Sequence, residues 1–139
     1  MYKSILLAVD GSNHSIRATQ EAVNIATLVN GSKVDVIMVA DYSKTKSEVL
    51  HSSGKEDLEL TRRKRLFPIE ELFKTNNINY EIHILHGEPG PTIVEYANKR
   101  SFDLVIIGSR GLNSFQEMVL GSVSHKVVKR VNCPVLVVK

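Results

Sequence analysis

Short runs of consecutive apolar residues alternate along the chain with segments in which apolar residues recur at helical spacing. A continuous apolar run bounded by turn residues is typical of a strand that is buried on both faces. We predict strands at 5–9, 34–40, 103–107 and 134–138, which are apolar apart from Asp35 and Asp103. Apolar and polar residues alternate at 80–85, which predicts a further strand that lies nearer an edge of the sheet.

Helical patterns occupy most of the intervals between these predicted strands. The first helix follows the turn cluster at 10–13 and ends at the Asn-Gly pair at 30–31. A longer apolar stripe spans 58–73, where we expect a kink near Pro68. The polar stretch at 41–56 has little periodicity, and we interpret it as a mobile excursion, with a partial helix as the alternative.

Two shorter helices, one opening near Pro91 and one at 122–130, complete the alternation of strands and helices. This alternation predicts a parallel sheet covered on both faces by right-handed crossovers. The first, second and fourth strands are the most apolar and belong in the middle. We therefore predict a doubly wound, three-layer α/β sandwich, Rossmann-like, with strand order 3-2-1-4-5 and a single domain at 1–139.

Composition narrows the class of protein. The 139 residues are 42% hydrophobic, which excludes a disordered chain, and the one cysteine, Cys133, excludes a disulfide framework. No apolar run approaches the roughly 20 residues of a membrane span and no signal peptide is visible, so we expect a cytoplasmic protein without a membrane partner. A net charge of +3 is too small for a dedicated nucleic-acid binder. We interpret the basic run at 62–65 as a solvated helix face.

Ligands of open α/β sheets bind beyond the carboxyl ends of the strands, where the strand order reverses. The richest segment leaving such an end is Gly108-Ser109-Arg110-Gly111, and Gly121-Ser122-Val123-Ser124 opens the next helix. Glycines allow close backbone approach, and a helix start favours phosphate. The serine hydroxyls and the Arg110 guanidinium would add donors. The alternatives are that the glycines only make a turn and that Ser122 is only an N-cap.

The spacing Gly108-x2-Gly111-x9-Gly121-Ser122 matches the nucleotide-binding signature of the universal stress protein family, in its ATP-binding branch. The segments 5–12, 103–108 and 133–138 also resemble that family. The resemblance therefore covers essentially the whole chain.

The resemblance implies that an adenine nucleotide, foremost ATP, binds at the carboxyl ends of strands one, two and four. Asp10 would lie beside the adenosine, next to Ala8 where many relatives have proline, and the backbone of Val39 would meet the adenine. The loop from Gly108 to Ser114 would wrap the ribose and phosphates. The implied nucleotide-binding residues are Ala8, Val9, Asp10, Val39, Gly108, Ser109, Arg110, Gly111, Leu112, Asn113, Ser114, Gly121, Ser122, Val123 and Ser124.

The resemblance also implies Mg²⁺ on the phosphates and a homodimer joined through the last strand. The residues of that strand are apolar in succession, and an apolar edge strand with unpaired backbone groups favours association. They are Val135, Leu136, Val137 and Val138.

Three functions remain open at this stage. The leading one is a stress-response sensor or regulator that holds ATP without efficient turnover, because neither a P-loop nor a G-x-G-x-x-G motif is present and no residue is clearly placed as a base. The alternatives are a slow Mg-dependent ATPase, with Asp10 on the metal and Arg110 on the phosphates, and a dimeric interaction module without a nucleotide.

Several residues also have plainer interpretations. Asp10 could cap the first helix, either alone or in addition to a ligand contact. His14 and His125 are expected at the surface, and the five histidines lack the spacing of a metal site. We assign Cys133 a structural role.

Overall fold

A computed structural model of the protein describes residues 1–40, 55–110 and 120–139, except for the side chains of 55–58. Five strands and four helices lie in these segments. In chain order they are β1 (Ser4–Val9), α1 (Asn13–Leu28), β2 (Lys33–Ala40), α2 (Lys55–Thr75), β3 (Asn79–His86), α3 (Pro89–Arg100), β4 (Leu104–Gly108), α4 (Ser122–Arg130) and β5 (Val135–Val138).

The five strands form one parallel sheet in the order β3-β2-β1-β4-β5. Leu7 of β1 is level with Val36 of β2 on one side and with Ile106 of β4 on the other. The predicted order and the parallel direction are confirmed. The order reverses between β1 and β4, which opens a crevice at the carboxyl ends of these two strands.

The sheet separates two hydrophobic cores. Leu7 belongs to the core that α1 and α2 cover, together with Ala22 and Ile69. Leu6, on the opposite face of the same strand, packs with Ile93 of α3 and Val127 of α4. Burial on both faces explains why 5–9 of β1 and 104–107 of β4 are uninterrupted apolar runs.

The element bounds differ from the predicted ones in small ways. β4 starts one residue later than predicted and includes Gly108. α2 starts at Lys55, so the end of the predicted excursion at 41–56 is helical, whereas 41–54 lie outside the described residues. Pro68 lies inside α2, which continues to Thr75, and the kink remains a prediction.

Half of the basic run at 62–65 does not lie on a solvated face, contrary to the prediction. Arg62 and Arg65 are half-buried, whereas Arg63 and Lys64 are exposed. The reason is helical spacing: Arg62 and Arg65 flank the stripe that buries Leu66 against the sheet. Across the described segments, no helix combines the length and apolar character needed to cross a bilayer.

Candidate functional site

The loop after β1 places a carboxylate and a serine hydroxyl in a closed set of hydrogen bonds. Asp10 Oδ1 accepts from the backbone N–H of Ser12 at 2.9 Å and from the hydroxyl of Ser15 at 2.7 Å. The backbone N–H of Asp10 donates to Ser15 Oγ at 2.8 Å. Gly11, between Asp10 and Ser12, has a φ of +85°, a backbone conformation that would be strained in a residue with a side chain. These bonds fix Asp10 at the crevice.

The N-cap of α1 is Ser12, and the interpretation of Asp10 as the cap is wrong. Ser12 has extended backbone angles, and its Oγ accepts from the N–H of Ser15 at 3.2 Å. Asp10 instead makes a turn with the N–H of Ser12, so the helix starts later in the chain. Asp10 supports the cap without being the cap.

Gly108 ends β4 directly against the first turn of α1. A Cβ at this position would lie 2.8 Å from His14 Cβ and 3.2 Å from the His14 carbonyl oxygen. Any side chain would therefore push α1 away from the sheet. The close packing of α1 on β4 is enough to explain the glycine.

The start of α4 lies on the other side of the crevice. Gly121 is its N-cap and has no side chain with which to cap the helix. Its N–H donates to Ser109 O at 2.9 Å, and His125 makes the first hydrogen bond of the helix, to Gly121 O at 2.8 Å. Within α4, which is described over its whole length, the N–H groups of 122–124 therefore have no helical partner. The interpretation of Ser122 as the N-cap is wrong, because it is the first helical residue.

Ser124 does not offer its hydroxyl hydrogen to the crevice, contrary to the prediction that it adds a hydroxyl donor. The side chain is buried, and its Oγ donates to Gly108 O at 2.6 Å. A hydroxyl carries a single hydrogen, so this bond uses its whole donor capacity. Ser124 ties α4 to the end of β4, and its backbone N–H is its remaining donor toward a ligand.

Two hydrogen bonds attach the last residues of the chain to the loop after β4 and to α1. The N–H of Ser109 donates to Val138 O at 2.7 Å. Arg17 Nε donates to Lys139 O at 2.7 Å. The end of β5 is thereby held against the residues that line the crevice.

His14 has a defined tautomer because of Arg17. Arg17 Nη2 lies 3.0 Å from His14 Nδ1, and a guanidinium can only donate. Nδ1 is therefore the acceptor, and the proton of the neutral ring sits on Nε2. Burial lowers the pKa of His14, the positive charges of Arg17 and Arg110 lower it further, and Asp10 opposes them. His14 is thus a neutral imidazole beside the crevice.

The remaining predicted site residues fall into two groups. Ala8 and Val9 are buried at the end of β1, and Val39 is half-buried near the end of β2. Arg110 is half-buried after β4. The second group lies outside the described residues and consists of Gly111, Leu112, Asn113 and Ser114.

A model of the Universal stress protein family matches residues 1–139. The match covers the chain from its first residue to its last. The chain belongs to the universal stress protein family.

Individual relatives agree with this assignment. Universal stress protein MJ0531 of Methanocaldococcus jannaschii is 32% identical over 100% of this chain and 83% of its own length. Hypothetical protein MJ0577 superposes with a TM-score of 0.86 at 31% identity, covering 100% and 96% of the two chains. A universal stress protein in complex with cAMP has a TM-score of 0.72 at 25% identity, covering 99% and 96%. The shared fold confirms the predicted doubly wound architecture.

Sequence analysis of this universal stress protein missed two residues at the crevice. His14, which was expected simply at the surface, is half-buried and contacts Gly108. Ser15, which was not singled out, holds Asp10. Its burial agrees with helical spacing, because 15 lies on the same face of α1 as the buried Ala18 and Ala22.

A second polar cluster of this universal stress protein lies at the other end of the sheet. One ligand atom each from Asp35, Glu81 and His83 lies within 4.8 Å of the others, a separation that metal binding could close. Lys33 Nζ already contacts these carboxylates, at 2.7 Å from Glu81 Oε2 and 3.9 Å from Asp35 Oδ1. The Lys33 ammonium already supplies the positive charge that these carboxylates attract. We therefore interpret the cluster as a surface ion-pair network.

Cys133 and Glu88 both have surroundings that suit a structural role. Burial raises the pKa of the Cys133 thiol, which disfavours the nucleophilic thiolate. Glu88 Oε1 lies 3.6 Å from Lys126 Nζ, and the contact joins the start of α3 to α4. The first observation favours the structural role predicted for Cys133, and the second gives Glu88 a structural contact.

Proposed function

We propose that this universal stress protein binds an adenine nucleotide in the crevice, with the phosphates at the start of α4. The observation that carries the proposal is the set of three N–H groups at 122–124 that have no partner within the helix. These groups and the helix dipole favour an anion at this point. Gly121, as the cap, has no side chain that could accept a hydrogen bond from them.

The charge of Arg110 and the ligand of a similar protein both support a nucleotide site in the crevice. A Cβ on Gly121 would lie 3.5 Å from Arg110 Cα, so Arg110 lies beside the start of α4, and a guanidinium suits phosphate oxygens. The similar universal stress protein solved in complex with cAMP binds an adenine nucleotide. We extend that ligand class to this chain, with ATP as the foremost member.

Mg²⁺ would accompany the phosphates of ATP. It binds phosphates together with one or two carboxylates and keeps several of its waters. Asp10 supplies a carboxylate at the crevice, and the two hydrogen bonds that its Oδ1 accepts hold that carboxylate in place. Asp10 therefore fits a role in holding the ion or its waters, and we assign it that role.

We propose a sensor or regulator that holds ATP, in preference to an ATPase. His14 is the imidazole beside the crevice, and its Nδ1 lone pair accepts from Arg17. The other ring nitrogen carries the proton, so the ring is a donor in this tautomer and not a general base. The residues that we assign to the nucleotide therefore bind and orient it.

Release of bound nucleotide tests the proposal directly. The purified protein is extracted with acid and the extract is separated by chromatography, and titration calorimetry then compares ATP, AMP and cAMP with inorganic phosphate. We expect adenine nucleotides to bind with dissociation constants at least tenfold lower than that of phosphate. Failure of all three nucleotides to bind would contradict the proposal.

We further propose a homodimer that forms through the outer edge of β5. Val135 to Val138 are each partly exposed, and β5 pairs only with β4 within the described sheet. Two copies that pair across this edge would satisfy its backbone groups. We expect a dimer by light scattering at micromolar concentration and a monomer for the double variant Leu136→Lys, Val138→Lys.

The opposite edge of the sheet provides a matched control for the dimer. Ile84 lies on β3, the other edge strand, and is 38% exposed. Ile84→Lys should therefore remain dimeric. A wild-type protein that scatters as a monomer would contradict the dimer proposal.

A further inference from the structure

α2 reaches the crevice with a basic side chain. A Cβ on Gly11 would lie 3.0 Å from each of Cβ, Cγ and Cδ of Arg65. The aliphatic stem of Arg65 therefore lies across Gly11, directly after Asp10 at the end of β1. The guanidinium carbon is two bonds beyond Cδ, at about 2.5 Å. The charged group is thus confined to the neighbourhood of this loop.

The direction of α2 explains how a basic run comes to this place. The first half of α2 lies near the carboxyl ends of the strands, and the second half near their amino ends, where Phe73 stacks on Tyr80 at the start of β3 with ring centroids 5.1 Å apart. Arg65 is half-buried on the side of the apolar stripe, whereas Arg63 is exposed. The two arginines carry the same charge and lie on the same helix, but of the two it is Arg65 that contacts the loop after β1.

The layers of the fold assign Arg65 to one end of the crevice. α1 and α2 cover one face of the sheet, and α3 and α4 cover the other. The phosphate groups, at the start of α4, would therefore lie on the far side of the crevice from α2. The nucleoside extends away from the phosphates, and the side toward β1 and β2 is the side on which Arg65 lies.

We infer that the Arg65 guanidinium forms a wall of the pocket on the nucleoside side and stacks on the adenine ring of the bound nucleotide. A guanidinium is planar and stacks on aromatic faces, which the compact ammonium of lysine does not do. It also has five N–H donors, so a partner within the protein leaves donors for a ligand. This inference rests on the proposed function and adds a residue from α2 to the site.

Three single variants distinguish the contribution of the planar guanidinium to nucleotide binding from those of the aliphatic stem and the positive charge. Arg65→Met keeps an unbranched stem over Gly11 and removes the guanidinium. Arg65→Lys keeps the charge and removes the plane. Arg63→Met is the matched control, since it removes the same group from an exposed position of the same helix. Thermal melts of all three variants without nucleotide check that the fold is retained.

The expected result is a loss that does not depend on the number of phosphates. Calorimetry with AMP and with ATP should show about tenfold weaker binding for Arg65→Met, with the two factors within about twofold of each other. Arg65→Lys should show a similar loss, and Arg63→Met should bind as the wild type does. The melting temperature of Arg65→Met should match that of the wild type. If Arg65 had a purely structural role, weaker binding would instead come with a lower melting temperature.

Other results would overturn the inference. Wild-type affinity in Arg65→Met would remove Arg65 from the site, while binding of ATP to the wild type would leave the proposed function intact. A loss for ATP without a loss for AMP would move the guanidinium to the phosphates. Full recovery in Arg65→Lys would show that charge, not stacking, is responsible. A wild type that binds neither nucleotide is the separate failure of the proposed function.

Discussion

Two helices begin at the crevice, and they treat their first N–H groups in opposite ways. At α1, Ser12 Oγ accepts from the N–H of Ser15, and Asp10 accepts from the N–H of Ser12. At α4, the cap is Gly121, and the hydroxyl of Ser124 donates away from the helix start, to Gly108 O. Side chains of the chain itself therefore satisfy two of the first four N–H groups of α1, and we call this helix start closed. The first turn of α4 is open.

The difference in capping indicates separate roles for the starts of α1 and α4. Side chains that satisfy a helix start stabilise the fold and leave little for a ligand. A helix start without such side chains keeps its donors and its dipole for an anion. Substitutions at the start of α1 should therefore change mainly the stability, and substitutions at the start of α4 should change mainly the affinity for nucleotide.

The largest expected effect is that of a carboxylate at the start of α4. Ser122 is exposed, so Ser122→Asp disturbs no packing. The carboxylate should repel the phosphates and weaken ATP binding by more than tenfold. The same charge favours the helix dipole, so the free energy of unfolding without ligand should rise by about 0.3–1 kcal/mol. Titration calorimetry and denaturant unfolding measure the two effects, which have opposite signs.

The equivalent position of α1 is the control for this prediction. Asn13 is the first helical residue of α1 and is exposed. Asn13→Asp should give a similar gain in stability with a much smaller loss of affinity. Equal losses of affinity at the two positions would remove the distinction between the helix starts.

Sequence patterns predicted the fold better than they predicted these helix starts. The apolar run of β1 follows from burial on both faces, and its short length and the turn residues after it identify it as a strand. The roles of Asp10, Ser12 and Ser124 depend on which hydrogen-bond partner each group finds in space. The turn cluster at 10–13 offers several polar side chains as caps, and the hydrogen bond that Ser12 Oγ accepts from the N–H of Ser15 identifies Ser12 as the cap. The contact of His14 with Gly108 was missed because packing against β4 has no signature in the local sequence.

A pair of serine variants sharpens the comparison further. Ser12→Ala removes the cap of α1 and should lower the free energy of unfolding by about 1 kcal/mol, with little change in ATP affinity. Ser122→Ala removes an exposed hydroxyl and should leave the stability within about 0.5 kcal/mol. It should weaken ATP binding severalfold if the hydroxyl contacts the phosphates. The opposite pattern, with affinity lost at Ser12 and stability lost at Ser122, would reverse the assignment.

Ser124 tests whether the open helix start uses its buried hydroxyl. Ser124→Ala leaves Gly108 O without its donor from this side chain, and the free energy of unfolding should fall by about 1 kcal/mol. ATP affinity should change by less than threefold, because the hydroxyl hydrogen is already donated. A tenfold loss of affinity at unchanged stability would place the hydroxyl on the ligand instead.

The smallest effect concerns His14, which lies in the closed first turn of α1 but senses the charges of the crevice. Burial, Arg17 and Arg110 lower its pKa from the ordinary value of 6.5. Below pH 6.5 the ring is protonated more readily in the unfolded chain than in the folded chain, and this difference favours unfolding. The contribution of His14 to stability is therefore complete only above about pH 6.5. It is lost as the pH falls through the lowered pKa. The decrease in melting temperature between pH 7.5 and 5.5 should therefore be smaller in His14→Gln than in the wild type.

A nuclear magnetic resonance titration of the His14 ring measures the same pKa directly and connects it to the open helix start. Arg17→Met removes one of the charges that depress the pKa, so the pKa should rise in this variant. Saturating ATP should raise it as well, because phosphates at the start of α4 would bring negative charge to the crevice. A pKa that responds to Arg17→Met but not to ATP would mean that the phosphates bind away from His14. Since His14 packs on Gly108, that result would count against phosphate binding between the two helix starts.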